Sequence, residues 1–427
     1  MTALTGLDLW TMAIGAMVNV ACAVLGCYLV LRRLSLLGDA ISHAVLPGLA
    51  VAFMVAGSRA MVPMFLGAMV AGVLTAFLSE TIHRVARVKH DASMGVVFTS
   101  LFALGVILIT RAAHHVDLDA RCVFYGSIEL LPLDVVSHFG MEAPVRFWSM
   151  GLVLLLVIGF VVALWKELRI VSFDATLAVT LGINAAVVHY LLMGMVAGTV
   201  VAAFEAVGSI LVVAMLIAPG AAAHLLTDRL WLMLVLAAAQ GVVAAVVGTV
   251  VAVALNTSVA GMMAVVAGGQ FAVAVVAAPR YGLVSAWLRR VRLSFRIVTE
   301  DALALLYRWG EASERPALSA GHIANALGRG LVPRTALGLL RLRRFVEPFG
   351  DGVVLTDGGL RRARGLVRSH RLWESYLAKH FGLAADHLHE PAERMEHFIT
   401  AEMETDIVED IRDAARDPHG RPIPKQG

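Results

Sequence analysis

The chain has 427 residues, of which 59% are hydrophobic and only 16% charged, and its mean hydropathy is +0.79. A water-soluble domain carries about 25% charged residues, so the composition excludes a wholly soluble enzyme and points to a polytopic membrane protein. The net charge of +3 is too small and too mixed to argue for nucleic acid as a partner.

Windows of roughly 20 apolar residues mark membrane spans. They fall at about 9–31, 43–58, 61–81, 93–110, 147–165, 176–195, 197–217, 230–250 and 258–279. The second is short and the sixth and seventh nearly touch, so eight or ten spans are the alternatives. The N-terminus shows neither the charged n-region nor the small-residue cleavage site of a signal peptide, so 9–31 reads as a retained first span. With the N-terminus outside, the inner loops hold Arg32, Arg33, Arg84, Arg87, Lys89, Lys166, Arg169, Arg229 and Arg280. The outer loops hold Arg59, Arg111, Arg121 and Arg146. Nine against four obeys the positive-inside rule, and an odd span count puts the C-terminus in the cytoplasm. Three cysteines, Cys22, Cys27 and Cys122, form neither a ligand pattern nor a disulfide framework.

Ionisable groups near or inside spans are costly and tend to be functional. In "LSLLGDAISHAVLPG", Asp39 and His43 stand one helical turn apart, a pair that either relays a cation or fixes a helix end by a hydrogen bond. Pro47 and Gly48 then predict a helix break that exposes carbonyls. Glu205 is a second charge within a span, and His189 is a weaker candidate. The outer loop offers His114, His115, Asp117 and Asp119, most simply read as solvated. Gly, Ala and Val fill the spans, and small residues let helices approach closely in lipid.

Three stretches, "LRRLSLLGDAISHAVLPGLA", "HDASMGVVFTSLFALGVILITR" and "GSILVVAMLIAPGAAAHLLTDRLWLML", resemble the membrane permeases of ABC importers for manganese, zinc and iron(II). The resemblance runs over roughly residues 8–280. It implies a bacterial cytoplasmic-membrane permease that pairs with a second permease subunit, identical or not, and receives metal from an extracytoplasmic metal-binding protein. A separate cytoplasmic ABC ATPase would drive it. The chain has no G-x-x-x-x-G-K-[ST], so it binds no nucleotide through a P-loop and is not that ATPase. The resemblance places Asp39 and His43 in a polar motif of the translocation path, with Glu205 as a further candidate. It places Ala218, Pro219, Gly220 and Leu226 at the ATPase contact.

After Arg280 the composition changes. Residues 280–427 hold 23 Lys/Arg and 19 Asp/Glu, against 12 and 13 before them. The expected division is a permease domain at 1–280, a linker at 281–297, a winged-helix-like domain at 298–368 and a helical metal-binding and dimerisation domain at 369–427. An amphipathic helix at 299–312 leads to two short helices, then to a wing hairpin at "GDGVVLTDGGL" and a long helix, in winged-helix order. The long helix carries Arg361, Arg362, Arg364, Arg368 and Arg371, which fit DNA, anionic lipid or solvent. The reading helix "VPRTALGLLRLRR" lacks the Ser, Asn or Gln at its start that would read base edges, so specific DNA binding is not expected.

In "HEPAERMEHF", a helix starting near Pro391 would put Glu393, Glu396 and His397 on one face. His370 and Glu374 form a further i, i+4 pair, and His389 is near enough in sequence to close a site. Carboxylates and imidazoles without thiolate suit Mn²⁺ or Fe²⁺ better than a soft ion, although a charged helical surface carries the same spacing. Residues 298–424, with "GLVRSHRLWESYLAKHFGLAADHLHEPAERMEHFITAEMETDI" and "DPHGRPIP", resemble the metal-dependent repressors that control iron and manganese uptake. That resemblance implies metal ligation by Asp301, His370, Glu374, His389, Glu393, Glu396 and His397. Ala304 replaces the second acidic ligand of the manganese branch, which implies one metal site rather than two. The whole reads as an all-α polytopic bundle of about nine transmembrane helices, followed by a cytoplasmic winged-helix and helical dimerisation domain. The function implied is a divalent-metal permease with a metal-sensing tail. The alternatives are a membrane-tethered, metal-dependent DNA-binding regulator and a permease whose tail is only a dimerisation module.

Overall fold

The computed structural model describes residues 6–34, 36–57, 61–112, 128, 131–138, 141–313, 317–328, 331–383, 387–411 and 415–425. The chain divides into two units, Met1–Ser285 and Ala286–Gly427.

Among the described residues the first unit is helical apart from one hairpin. Its elements are α1 (Gly6–Leu31), α2 (Leu37–Ala56), α3 (Met61–Ala86), α4 (His90–Ala112), the antiparallel pair β1 (Val135–His138) and β2 (Met141–Pro144), then α5 (Val145–Ala163). Two short helices follow, α6 (Trp165–Phe173) and α7 (Ala175–Thr180), and then α8 (Ala185–Val207), α9 (Ser209–Leu226), α10 (Leu230–Leu255) and α11 (Val259–Ala277). Among the described residues nine helices are long and apolar enough to span a membrane, which matches the expected number. The protein is a multi-pass membrane protein with its C-terminal unit facing the cytoplasm.

One expected span is displaced. The window at 176–195 is interrupted because Asp174 caps α7, its Oδ1 accepting from Thr176 N at 2.9 Å and Leu177 N at 3.0 Å. Gly182 then turns at φ +78°, and Asn184 caps α8 by accepting from Val187 N. Side-chain caps of this kind set helix starts, and a hydropathy window does not register them. The sixth and seventh spans are therefore α8 and α9.

The expected break at Pro47–Gly48 is absent, and α2 runs through it. The proline ring is accommodated because α4 offers a glycine there: a Cβ on Gly105 would lie 2.7 Å from Pro47 Cδ. Gly48 and Gly67 bring α2 and α3 together in the same way, since a Cβ on Gly48 would stand 2.1 Å from the Gly67 carbonyl oxygen.

The most enclosed span is α1, with Cys22, Leu25, Cys27 and Tyr28 buried. A Cβ on Gly26 would fall 1.8 Å from the Leu216 carbonyl oxygen of α9, and one on Gly248 would meet Met263 at 2.6 Å. Backbone contact of this closeness leaves no room for a methyl group. Gly26→Ala is therefore expected to destabilise the bundle by about 3 kcal/mol or more, read as a lowered thermal midpoint in detergent. Gly159→Ala, where nothing lies within 4 Å, is the control and should leave the midpoint in place.

The second unit runs along α12 (Leu283–Ala312), α13 (Ala320–Ala326), α14 (Leu331–Leu342), β3 (Val346–Phe349), β4 (Gly352–Leu355), α15 (Asp357–Phe381), α16 (His389–Met395) and α17 (Ala401–Ile411). The helix, helix-turn-helix, wing and helix order is the expected one. The wing is an antiparallel pair in which Val346 faces Leu355 and Phe349 faces Gly352, closed by Gly350 at φ +56°. Its core joins Leu303, Leu306, Ile323, Leu337, Val353 and Leu366.

The segment expected as a linker, 281–297, is helical from Leu283 onward as the start of α12; the sequence from Leu283 to Trp309 holds neither glycine nor proline to stop it. The boundary expected between residues 368 and 369 falls inside α15, so the wing and the metal-site residues share one helix. The arginine face of α15 is also largely engaged internally. Arg362 meets Glu300 at 2.6 Å, Arg368 donates to the Pro424 carbonyl at 2.6 Å, and the buried Arg371 holds Glu311 at 2.5 Å. Arg361 and Arg362 still reach solvent, while Arg368 and Arg371 are tied down inside the unit.

Candidate metal centre

In the second unit, α12 presents Glu300 and Asp301 in succession and α15 presents His370 and Glu374 one turn apart. His389 opens α16, and Glu396 and His397 lie in the turn that follows it. These donors form two adjoining groups, His370–Glu374–His389 and Asp301–Glu396–His397, each with ligand atoms within 4.8 Å of one another. In the first, His370 Nε2 is 3.0 Å from both Glu374 Oε1 and His389 Nδ1, and His389 Nδ1 is 3.1 Å from Glu374 Oε1. In the second, His397 Nε2 is 3.0 Å from Asp301 Oδ1 and 4.0 Å from Glu396 Oε1.

Glu396 joins the groups. Its Oε2 lies 2.5 Å from His370 Nδ1, while its other oxygen turns to His397. Arg308 donates to the same Oε2 at 3.4 Å and offsets part of the negative charge.

The expectation that Glu393, Glu396 and His397 share one helical face is corrected. The helix ends at Met395, so the i, i+4 relation does not carry to His397. Glu393 stands exposed and belongs to neither group, whereas Glu396 and His397 are buried. The donors fall into two groups linked through Glu396.

Electrostatics explains why buried carboxylates and imidazoles are stable here. Burial alone would lower the His397 imidazole, but hydrogen bonds to Asp301 and Glu300 outweigh it and raise it to about 9. Burial alone would raise Glu300, yet hydrogen bonds from His397 and Arg362 pull it down to about 2. Glu374 falls to about 2 against the same penalty through His370, whose imidazole is correspondingly raised. In the second group the protonated His397 imidazole stands where a cation would sit. The donor set is imidazole and carboxylate with no cysteine after Cys122, which fits a divalent ion of borderline or hard character. When bound, such an ion would supply positive charge in place of that proton and tie α12, α15 and the turn after α16 together.

Sequence reasoning missed Glu300 and His419. Glu300 Oε2 lies 2.9 Å from His397 Nδ1 and fixes which nitrogen faces Asp301. Its signal was the acidic pair "ED" at 300–301. His419 Nε2 lies 3.9 Å from Glu374 Oε1, brought there by a C-terminal turn in which Asp417 accepts from His419 N and Arg421 N. Outer partners of metal ligands are worth about 10–100-fold in affinity. Glu300→Gln should therefore weaken divalent-ion binding about 10-fold or more by calorimetry while every proposed ligand remains.

In the membrane unit, His43 Nε2 is 3.4 Å from Asp39 Oδ1, and the His43 ring packs against Phe98 and Phe102. Glu205 lies on α8, but its side chain is outside the described residues, as are His114, His115, Asp117 and Asp119. His189 joins a different group, 3.7 Å from Glu80. Of the four residues expected at the ATPase contact, Pro219 and Gly220 are buried and Ala218 is half-buried. A Cβ on Gly220 would touch the backbone of Gly26 and Cys27 at 3.1 Å, so this glycine packs helices; Leu226, 39% exposed, is the one on open surface.

Comparison with known proteins agrees with these two halves. Residues 7–278 match the ABC 3 transport family, and residues 356–425 match the iron dependent repressor, metal binding and dimerisation domain. The chain is 45% identical over 287 residues to the manganese transport system membrane protein MntD of Bacillus subtilis, covering 67% of this chain and 97% of that protein. It is 41% identical over 359 residues to the zinc transport system membrane protein TroD of Treponema pallidum, covering 82% of this chain and 96% of that protein. Among solved structures, PsaBC from Streptococcus pneumoniae in complex with Fab superposes with a TM-score of 0.54 at 31% identity, over 65% of this chain and 94% of that one. The chain therefore belongs to the ABC 3 transport family, its membrane bundle followed by a metal binding and dimerisation domain of the iron-dependent-repressor type.

Proposed function

We propose that this chain forms the transmembrane pathway of an ATP-driven importer for a divalent transition metal, Mn²⁺ or Fe²⁺ ahead of Zn²⁺, and that its tail senses the same ion inside the cell. The observation that carries the proposal is the joining, in one chain, of an ABC 3 transport bundle to two thiolate-free His/carboxylate groups. The named relatives transport manganese and zinc, and the hard donor set of the tail favours manganese or iron.

An ATPase, an extracytoplasmic metal-binding protein and a second permease subunit complete the assembly. Leu226 and the turn after it form part of the ATPase contact, and Asp39, His43 and Glu205 line the path. For the tail to regulate transport, its metal must bind one state of the transporter more tightly than another.

Reconstitution with the ATPase and binding protein in vesicles tests both parts. ATP-dependent uptake of Mn²⁺ or Fe²⁺ is expected, and it should slow when the side facing the tail is loaded with Mn²⁺. Uptake that is indifferent to that load, or equally slowed in Glu396→Ala, would remove the sensing role and leave the transport role standing.

A further inference from the structure

The cytoplasmic end of the membrane unit holds a basic cavity that neither Asp39 and His43 nor the tail donors line. It measures about 1070 Å³ and gathers Arg32 and Arg33 after α1, His83 and Arg84 near the end of α3, His90 at the start of α4 and His189 of α8. We propose that this cavity binds a phosphate group, carried either by the headgroup of an anionic lipid or by a free phosphate ion. Such a site is independent of which metal the bundle imports.

Its charge is unbalanced toward positive. Glu80 is the one carboxylate in the lining among the described residues, and it is already engaged, its Oε1 accepting from Arg84 Nε. Arg32 and Arg33 have no such partner among the described residues. Arg32 donates through Nε to Ser172 Oγ at 3.2 Å and through Nη1 to His189 Nδ1 at 3.4 Å, both uncharged acceptors. Its Nη2 is buried with no acceptor at all. A cation out of water that no anion offsets is costly. An anion entering the cavity beside Arg32 and Arg33 supplies the missing charge.

The donors suit phosphate in particular. A guanidinium fork donates two parallel N–H bonds to phosphate oxygens, and histidines beside an anion readily take a second proton and join as donors. Basic pockets between spans on the cytoplasmic side hold lipid head groups by this chemistry. The cavity is as large as a pocket for an organic ligand, more than a lone ion fills. Part of its wall is apolar, from Val171, Ala175, Val179 and Ile183. That wall belongs largely to α6 and α7, which have nine and six residues and are too short to cross a bilayer. They leave Phe173, Leu177 and Val179 exposed. Short helices with outward apolar side chains, next to arginines, belong at the membrane interface, where lipid phosphates lie.

The test uses the full chain in detergent, with phosphatidylglycerol as the first probe and native mass spectrometry as the readout. One retained phosphatidylglycerol is expected on the unaltered chain, and at least about tenfold less on Arg32→Gln and on Arg33→Gln. Arg169→Gln, an exposed cytoplasmic arginine of the same unit outside the cavity, should retain as much as the unaltered chain. Arg33 is exposed, so its variant decides the matter if Arg32→Gln proves unfolded by its thermal midpoint. Diacylglycerol, which lacks the phosphate, should not be retained. Inorganic phosphate separates the two sources. If it raises the midpoint of delipidated chain, and Arg33→Gln removes that rise, the site takes free phosphate; retention of lipid with no response to phosphate assigns it to the headgroup. Phosphatidylglycerol held equally by both arginine variants, diacylglycerol held as well as phosphatidylglycerol, or no response to either phosphate source would overturn the proposal.

Discussion

Glu396→Ala is expected to lower the apparent affinity of the C-terminal unit for Mn²⁺ at least about 100-fold. The expectation follows from the place of this carboxylate. It links the two groups, 2.5 Å from His370 through Oε2 and 4.0 Å from His397 through Oε1. Outer partners alone cost about 10–100-fold, and a shared ligand costs at least the upper end of that range. Removing it also leaves Arg308 and His370 facing each other without the anion that separates their charges. Calorimetry on the full chain in detergent measures it. Glu393→Ala is the informative companion, because Glu393 is exposed in the metal-free arrangement. An equal loss there would mean that the turn after Met395 rewinds on metal binding and carries Glu393 inward.

Metal affinity should climb steeply between pH 6 and pH 8. His397 titrates at about 9 in the metal-free protein because Asp301 and Glu300 hold its proton, so throughout that range it is an imidazolium. A metal ligand has to be the neutral ring, and each ion that binds through His397 must expel a proton. One expelled proton gives about a tenfold rise in apparent affinity per pH unit, hence about 100-fold over the interval. A second from His370, itself raised, would steepen it further. Titrations in buffers of different ionisation enthalpy count the protons directly, and a flat profile would exclude His397 as a ligand. Stability of the metal-free unit runs the opposite way. The His397 contribution is complete below its unfolded value near 6.5 and disappears as pH rises through about 9. The Glu300 and Glu374 contributions are complete above about 4.5 and are lost as pH falls toward about 2. Metal-free protein should therefore be most stable between those limits, while the metal-bound form gains as pH rises.

Hydropathy alone located the bundle, because a long apolar run has few alternatives in a bilayer. What it could not place was the segment 165–184. There two capping side chains, Asp174 and Asn184, divide an apolar stretch into short helices. The unbroken course of α2 through Pro47 was equally illegible, since it depends on Gly105 in another helix. In the tail, His370 and Glu374 were legible because a single long helix preserves the i, i+4 relation. Glu396 and His397 were legible as donors too, but the exposure of Glu393 was not, because the helix stops at Met395 and the turn decides which side chain points inward. Glu300 escaped notice because its role is set by a partner 97 residues away.

The enclosure of α1 has a consequence for biosynthesis. Asn19 Nδ2 donates to the Gly241 carbonyl, 222 positions later in the chain, and Gly241 leaves room for it by lacking a side chain. A ribosome releases the first span long before α10 exists, so the nascent chain carries an amide in hydrocarbon with its eventual acceptor still unmade. An unsatisfied polar group in the hydrocarbon region costs on the order of several kcal/mol. The first span therefore completes its packing only once α10 has been inserted, which ties the central helix to a segment made late in the bundle.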